Sequence, residues 1–213
     1  MIDAPRPGMF PRATMSIAPP VSRSKALSLP NLLTYGRCVA VPAVVGLLFW
    51  SEAGWARWTA LAVFVLAAVT DYLDGYLARA LSQHSALGRM LDPIADKLLV
   101  AASLLMLAHD DTITGVSLWA AIVILCREIL VSGLREFLAE LKVGVPVSRV
   151  AKWKTGLQLT AIGFLIAGPA GETVLPGTTA IGIVLLWIAA VLTIYTGWDY
   201  LKAGIKHLVD EGA

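Results

Sequence analysis

Four aspartates stand out in the stretch DYLDGYLARALSQHSALGRMLDPIADKLLV, residues 71–100, because the chain around them is apolar. Asp71 and Asp74 are three residues apart, and Asp92 and Asp96 four apart. On helices each pair therefore occupies one face. The polar segment LSQHSA between them turns the chain, and two antiparallel helices would bring both carboxylate pairs together. Anions clustered at low dielectric raise one another's pKa. Divalent cations that prefer oxygen ligands, Mg2+ or Mn2+, remove that conflict. His84 reads as an ordinary loop residue, and no His–Cys cluster competes as a metal site. Gly75 and Ala78 share the face of Asp71 and Asp74 and leave room for a bulky ligand, while Gly88 lies one turn before Asp92. Helix packing is the alternative use of such small residues. Arg79 adds a cation suited to a phosphate. Four carboxylates within membrane-length apolar runs favour a functional site, since intramembrane ionisable groups are functional by default.

The elements that must position these residues follow from composition. Of 213 residues, 57% are hydrophobic and 15% charged, with a mean hydropathy of +0.73. A soluble domain carries roughly 25% charged residues, so the chain reads as a polytopic membrane protein. A net charge of only +2 argues against a nucleic-acid partner. A bilayer span needs about 20 apolar residues, and six stretches qualify, near 32–50, 57–77, 90–108, 115–138, 155–171 and 177–200. No alternating strands of barrel length occur, which leaves helices. The expected fold class is all-α, with six transmembrane helices. The expected organisation is a flexible, basic, Pro-rich cytoplasmic tail over 1–28, a six-helix catalytic domain over 29–207, and a C-terminal tail over 208–213. The early charges are not followed by the apolar core of a secretory signal. Cys38 and Cys126 lie in apolar runs and read as buried small hydrophobes. Trp50, Trp55 and Trp58 at one boundary, and Tyr195, Trp198 and Tyr200 at the other, read as interfacial anchors. Lys and Arg gather in the tail, at Arg79 and Arg89, over residues 142–154 and at the C-terminus, whereas the opposite side carries only Arg57. By the positive-inside rule both termini and the four aspartates are cytoplasmic.

The pattern D-x2-D-G-x2-A-R-x8-G-x3-D-x3-D, matched at Asp71, Asp74, Gly75, Ala78, Arg79, Gly88, Asp92 and Asp96, closely resembles the motif of the CDP-alcohol phosphatidyltransferases. These are integral membrane enzymes of phospholipid synthesis. The resemblance implies that family's fold, a homodimer, and two metal ions at the four aspartates. It implies that Asp71 and Asp92 bridge the ions, that Asp74 completes one site, and that Asp96 binds the other ion and acts as general base. It further implies nucleotide contacts at Gly75, Ala78, Arg79 and Ser85, and at Asn31 and Thr34 in PNLLT. Helix capping is the structural alternative for the last two.

The alcohol acceptor is read from a second set of residues. REILVSGLRE places Arg127 and Arg135 on overlapping faces of the fourth span, and AKWKT places Lys152 and Lys154 at the start of the fifth. Cations within spans suit a buried anion such as the phosphate of an acceptor. Pairing with Glu128, Glu136 and Glu140 is the structural alternative. PNLLTYGRCVAVP, REILVSGLRE and KWKTGLQL resemble the family members that use sn-glycerol 3-phosphate, with Ala151 standing where their pattern has glycine. The expected reaction is phosphatidyl transfer from CDP-diacylglycerol to sn-glycerol 3-phosphate at a bacterial-type inner membrane. Cardiolipin synthesis and phosphatidylinositol-phosphate synthesis are the alternatives within the family. A carboxylate-lined cation transporter is the rival from another class, but it would spread its charges through the bilayer depth. Arg37, inside the first span, pairs with a carboxylate or a lipid phosphate in this reading.

Overall fold

The structure, a computed structural model, describes residues 29–50, 52–81, 86–141 and 149–210. Side chains are described for these except at 29–30, 72–81, 86–89, 92, 149–152, 199 and 203–210. Six helices follow one another: α1 Leu29–Phe49, α2 Gly54–Leu81, α3 Ala86–His109, α4 Ser117–Glu140, α5 Arg149–Gly171 and α6 Thr178–Asp210. No strand occurs among the described residues. Every apolar stretch coincides with one helix. At the end that carries the aspartates the helices run further than the apolar runs, to Leu81 in α2, back to Arg149 in α5 and on to Asp210 in α6. Charged residues lower hydropathy without breaking the backbone ladder, so Arg79, Lys152 and Lys154 stand on helical extensions of the apolar runs.

Three helices are long and apolar enough to cross a membrane by length and composition: Asn31–Phe49, Ser117–Glu140 and Thr178–Lys202. They mark an integral membrane protein. The most extensive pairing is between α5 and α6, and α1 packs along both α2 and α3. The two aspartate-bearing helices form no extensive pair of their own among the described residues. Both α1 and α5 pack against each of them.

Close approach explains several glycines of α5 and α6. A Cβ at Gly182 would come within 2.8 Å of the Leu165 side chain, and one at Gly171 within 2.6 Å of Thr178. The small residues there join helices within the chain, the packing that membrane interiors favour. The buried core around this contact includes Phe64, Leu99, Leu104, Ile124, Ile162 and Leu186.

At the far end from the aspartates α5 kinks at Gly168, whose φ is 40° and ψ −127°, just before Pro169. Proline has no N–H, so the carbonyl of Leu165 loses its helical donor. Arg57 of α2 supplies replacements: its Nη1 donates to the carbonyls of Ile166 at 3.2 Å and Leu165 at 3.5 Å. Its Nη2 donates to Thr112 Oγ1 at 3.1 Å and pairs with Asp110. Arg57 is therefore a buried clamp.

Two further expectations change. Trp50, Trp55, Trp58, Tyr195 and Trp198 are exposed, as interfacial anchors should be, but Tyr200 is buried. Cys126 is exposed and Cys38 half-buried; both are free thiols. A membrane helix presents an apolar residue as readily to lipid as to protein, so hydropathy does not decide between the two.

Candidate active site

One face of α1 is buried along its length, at Asn31, Thr34, Arg37, Ala40, Val44 and Leu48. A three- or four-residue spacing keeps these residues in line. The first half of the stripe is polar and the second apolar. The polar half meets Asp71 of α2: Arg37 Nη1 lies 2.5 Å from Asp71 Oδ1. The arginine side chain is 1% exposed and the aspartate 37%. An unpaired guanidinium buried to this degree would be strongly destabilising, so the ion pair accounts for a cation within the span. Asn31 and Thr34, expected at the nucleotide, are buried on this same face.

Asp96 is half-buried on α3. Asp74, Gly75, Ala78 and Arg79 lie on α2, Asp92 on α3 and Lys152 on α5, but their side chains, like Ser85 and His84, are outside the described residues. The donor set named by the motif consists of carboxylates alone. Such hard oxygen ligands fit Mg2+ or Mn2+ and not a softer metal. Asp71 remains partly accessible beside Arg37, which suits a ligand. Among the described residues no three potential metal ligands cluster.

The basic residues divide. Lys154 of α5 is buried and forms an ion pair with Glu128 of α4. Arg127 Nη1 also reaches Glu128 Oε1, at 3.3 Å. The rest of that guanidinium turns to α6, where Nε donates to the Thr193 carbonyl at 3.1 Å and Nη2 to Thr196 Oγ1 at 3.0 Å. Gly197 makes room for it, since a Cβ there would lie 3.1 Å from Arg127 Cγ. One carboxylate thus gathers Arg127 and Lys154, and Asp96 acts electrostatically on Lys154 from α3. Arg135 does not join this cluster; it is exposed.

Arg135 instead lines a polar cavity of about 290 Å³ between α3 and α4, with Lys97, Arg127, Glu128 and Ser132. Lys97 Nζ donates to the Pro93 carbonyl at 2.9 Å, which keeps its charge on the cavity wall. Neither Lys97 nor the central place of Glu128 is expected from the motifs. The signals were present in the adjacency of Lys97 to Asp96 and of Glu128 to Arg127. A second, apolar groove of about 610 Å³ runs between α2 and α5, lined by Phe64, Ala68, Val69, Leu159, Gly163 and Phe164. Ala68 lies within one helical turn of Asp71.

Comparison with known proteins bears on this arrangement of aspartates, buried cations and apolar groove. The CDP-alcohol phosphatidyltransferase family model matches residues 27–195. A Rickettsia typhi protein named CDP-diacylglycerol--glycerol-3-phosphate 3-phosphatidyltransferase is 47% identical, over 83% of this chain and 96% of its own. Proteins of the same name from Pseudomonas fluorescens, 40% identical over 87% of this chain and 94% of the relative, and Cereibacter sphaeroides, 39% identical over 86% and 98%, agree with it. The chain belongs to the CDP-alcohol phosphatidyltransferase family.

Proposed function

We propose that the protein transfers the phosphatidyl group of CDP-diacylglycerol to sn-glycerol 3-phosphate, giving phosphatidylglycerophosphate and CMP. The observation that carries this reading is a buried basic cluster, Arg127 and Lys154 on Glu128, beside the helix that bears Asp96. It occurs in a chain whose relatives are named for this reaction. Arg135 and Lys97, on the wall of the α3–α4 cavity, add cations for the acceptor phosphate. Lys152 belongs to the same basic set. The apolar groove between α2 and α5 receives an acyl chain of the lipid, which brings its diphosphate to the end of α2 near Asp71.

Asp71, Asp74, Asp92 and Asp96 would hold two divalent ions, Mg2+ or Mn2+, whose chemistry when bound would be to neutralise the diphosphate and the charge on the leaving phosphate. Asn31, Thr34, Gly75, Ala78, Arg79 and Ser85 bind the nucleotide part. The basic residues hold the acceptor's phosphate so that the primary hydroxyl at the other end of sn-glycerol 3-phosphate faces the phosphorus carrying diacylglycerol. Asp96 takes the hydroxyl proton as the new P–O bond forms. The bond to the CMP oxygen breaks, and CMP leaves with that electron pair. Six helices crossing the inner membrane, with both termini and the aspartates on the cytoplasmic side, put the site where glycerol 3-phosphate is dissolved. A homodimer is the assembly that the family resemblance implies.

The experiment is replacement of Asp96 by Asn in purified protein supplied with CDP-diacylglycerol, sn-glycerol 3-phosphate and Mn2+. The parent chain forms phosphatidylglycerophosphate; the variant binds CDP-diacylglycerol but turns over at least about 100-fold slower. Full activity in the variant removes the proton-accepting role, and no product from the parent removes the reaction.

A further inference from the structure

The Arg37–Asp71 pair joins two groups in unequal positions. Arg37 sits in the middle of the buried α1 stripe, 1% exposed, with α2 packed along α1. Its guanidinium cannot move without opening that helix pair. Asp71 is 37% exposed, with Oδ1 at 2.5 Å from Nη1. The arginine is the fixed partner and the carboxylate the one that is oriented.

An ionised carboxylate has about four acceptor sites on its two oxygens. A guanidinium on one oxygen therefore leaves others for a further ligand, and it fixes the plane of the group. Partners that hydrogen-bond to metal-binding carboxylates commonly set ligand orientation in this way. The planar fork of arginine does so more rigidly than a lysine ammonium. A cation in a membrane span also needs a counter-ion, and a neutral position would serve α1 packing better. Its placement opposite Asp71 points to a task at that carboxylate.

We propose that Arg37 is a positioning residue for the divalent-cation site: it holds the Asp71 carboxylate in the orientation that binds metal. This rests on the reading of Asp71 as a metal ligand. Arg37 touches neither substrate nor reacting atoms, and its effect reaches the reaction through Asp71.

The test is Mn2+ binding to the full chain in detergent, read by the electron paramagnetic resonance of free Mn2+ without either substrate. Asp71→Asn, Arg37→Gln and Arg37→Lys are compared with the parent. Asp71→Asn weakens binding if the metal reading is right. Arg37→Gln then weakens it about 10- to 100-fold, and Arg37→Lys recovers part of the loss. Unchanged affinity in Arg37→Gln, with Asp71→Asn impaired, overturns the inference and spares the metal site. Unchanged affinity in Asp71→Asn overturns the reading beneath it. Should the Gln chain fail to fold, Arg37→Lys decides: it keeps the buried charge but not the fork, and several-fold weaker binding is expected. Parental affinity in that variant contradicts the inference.

Discussion

Lys154 of α5 and Glu128 of α4 form an ion pair in which the lysine side chain is 4% exposed and the glutamate 18%. Such a pair answers a structural need and, in the proposed function, a substrate-binding one, and a double replacement separates them. Lys154→Met leaves Glu128 without that cation and should cost about 3–5 kcal/mol of stability. Adding Glu128→Gln should restore much of it. The KM for glycerol 3-phosphate should stay raised in the double variant, by about ten- to a hundredfold, as expected for a lost charge-assisted bond of about 1.5–3 kcal/mol. Thermal unfolding in detergent and acceptor kinetics check the two halves. Recovery of KM together with stability would make Lys154 structural only.

Arg57 and Gly168 give a prediction remote from the aspartates. Gly168→Ala puts a Cβ 2.6 Å from Arg57 Nη1 and holds alanine at a φ of 40°. The backbone cost alone is about 1–2 kcal/mol. Arg57→Met leaves the Asp110 carboxylate, 5% exposed, without this cation, and should cost about 3–5 kcal/mol. Unfolding midpoints measure both. The kcat of the folded fraction should be close to the parent's, because the clamp lies at the opposite end from Asp96.

Glu172 gives the acid limb of stability. Its carboxylate accepts the N–H of Gly177 at 2.6 Å and of Thr179 at 2.8 Å, at the start of α6. These donors, Thr179 first, hold its pKa below the usual carboxylate range. A depressed folded pKa means that the unfolded chain takes up the proton first as pH falls. The stabilisation is complete above the unfolded value of about 4.3 and is lost as pH drops through the lower folded one. Glu172→Gln should therefore lower the unfolding midpoint at neutral pH, with the gap to the parent closing in strong acid. A gap that persisted below the folded pKa would contradict this.

Much of the fold was legible because long apolar runs mark helices, three of which are long and apolar enough to cross a membrane. The six helices fall on the six apolar runs, and the aspartate motif names the family. Helix ends were less legible: α6 continues past Tyr200 to Asp210 because polar residues do not stop a helix. Contacts between helices were not legible. Nothing in the spacing of Arg57 pairs it with a carbonyl of α5, and nothing in PNLLTYGR aims Arg37 at Asp71. Both depend on which helices are neighbours. Arg127 shows the same limit: its charge suggested a phosphate, but most of its donors are taken up by Thr193, Thr196 and Glu128.

The central claim is tested most directly by CMP release from CDP-diacylglycerol in purified protein with Mn2+ and a panel of acceptors. The panel comprises sn-glycerol 3-phosphate, glycerol, inositol phosphate and phosphatidylglycerol. The expected result is rapid release with sn-glycerol 3-phosphate and slow release with glycerol, which lacks the phosphate for Arg135, Lys97 and Lys154. Release supported better by phosphatidylglycerol or inositol phosphate would contradict the acceptor assignment, and no release with any acceptor would contradict phosphatidyl transfer itself.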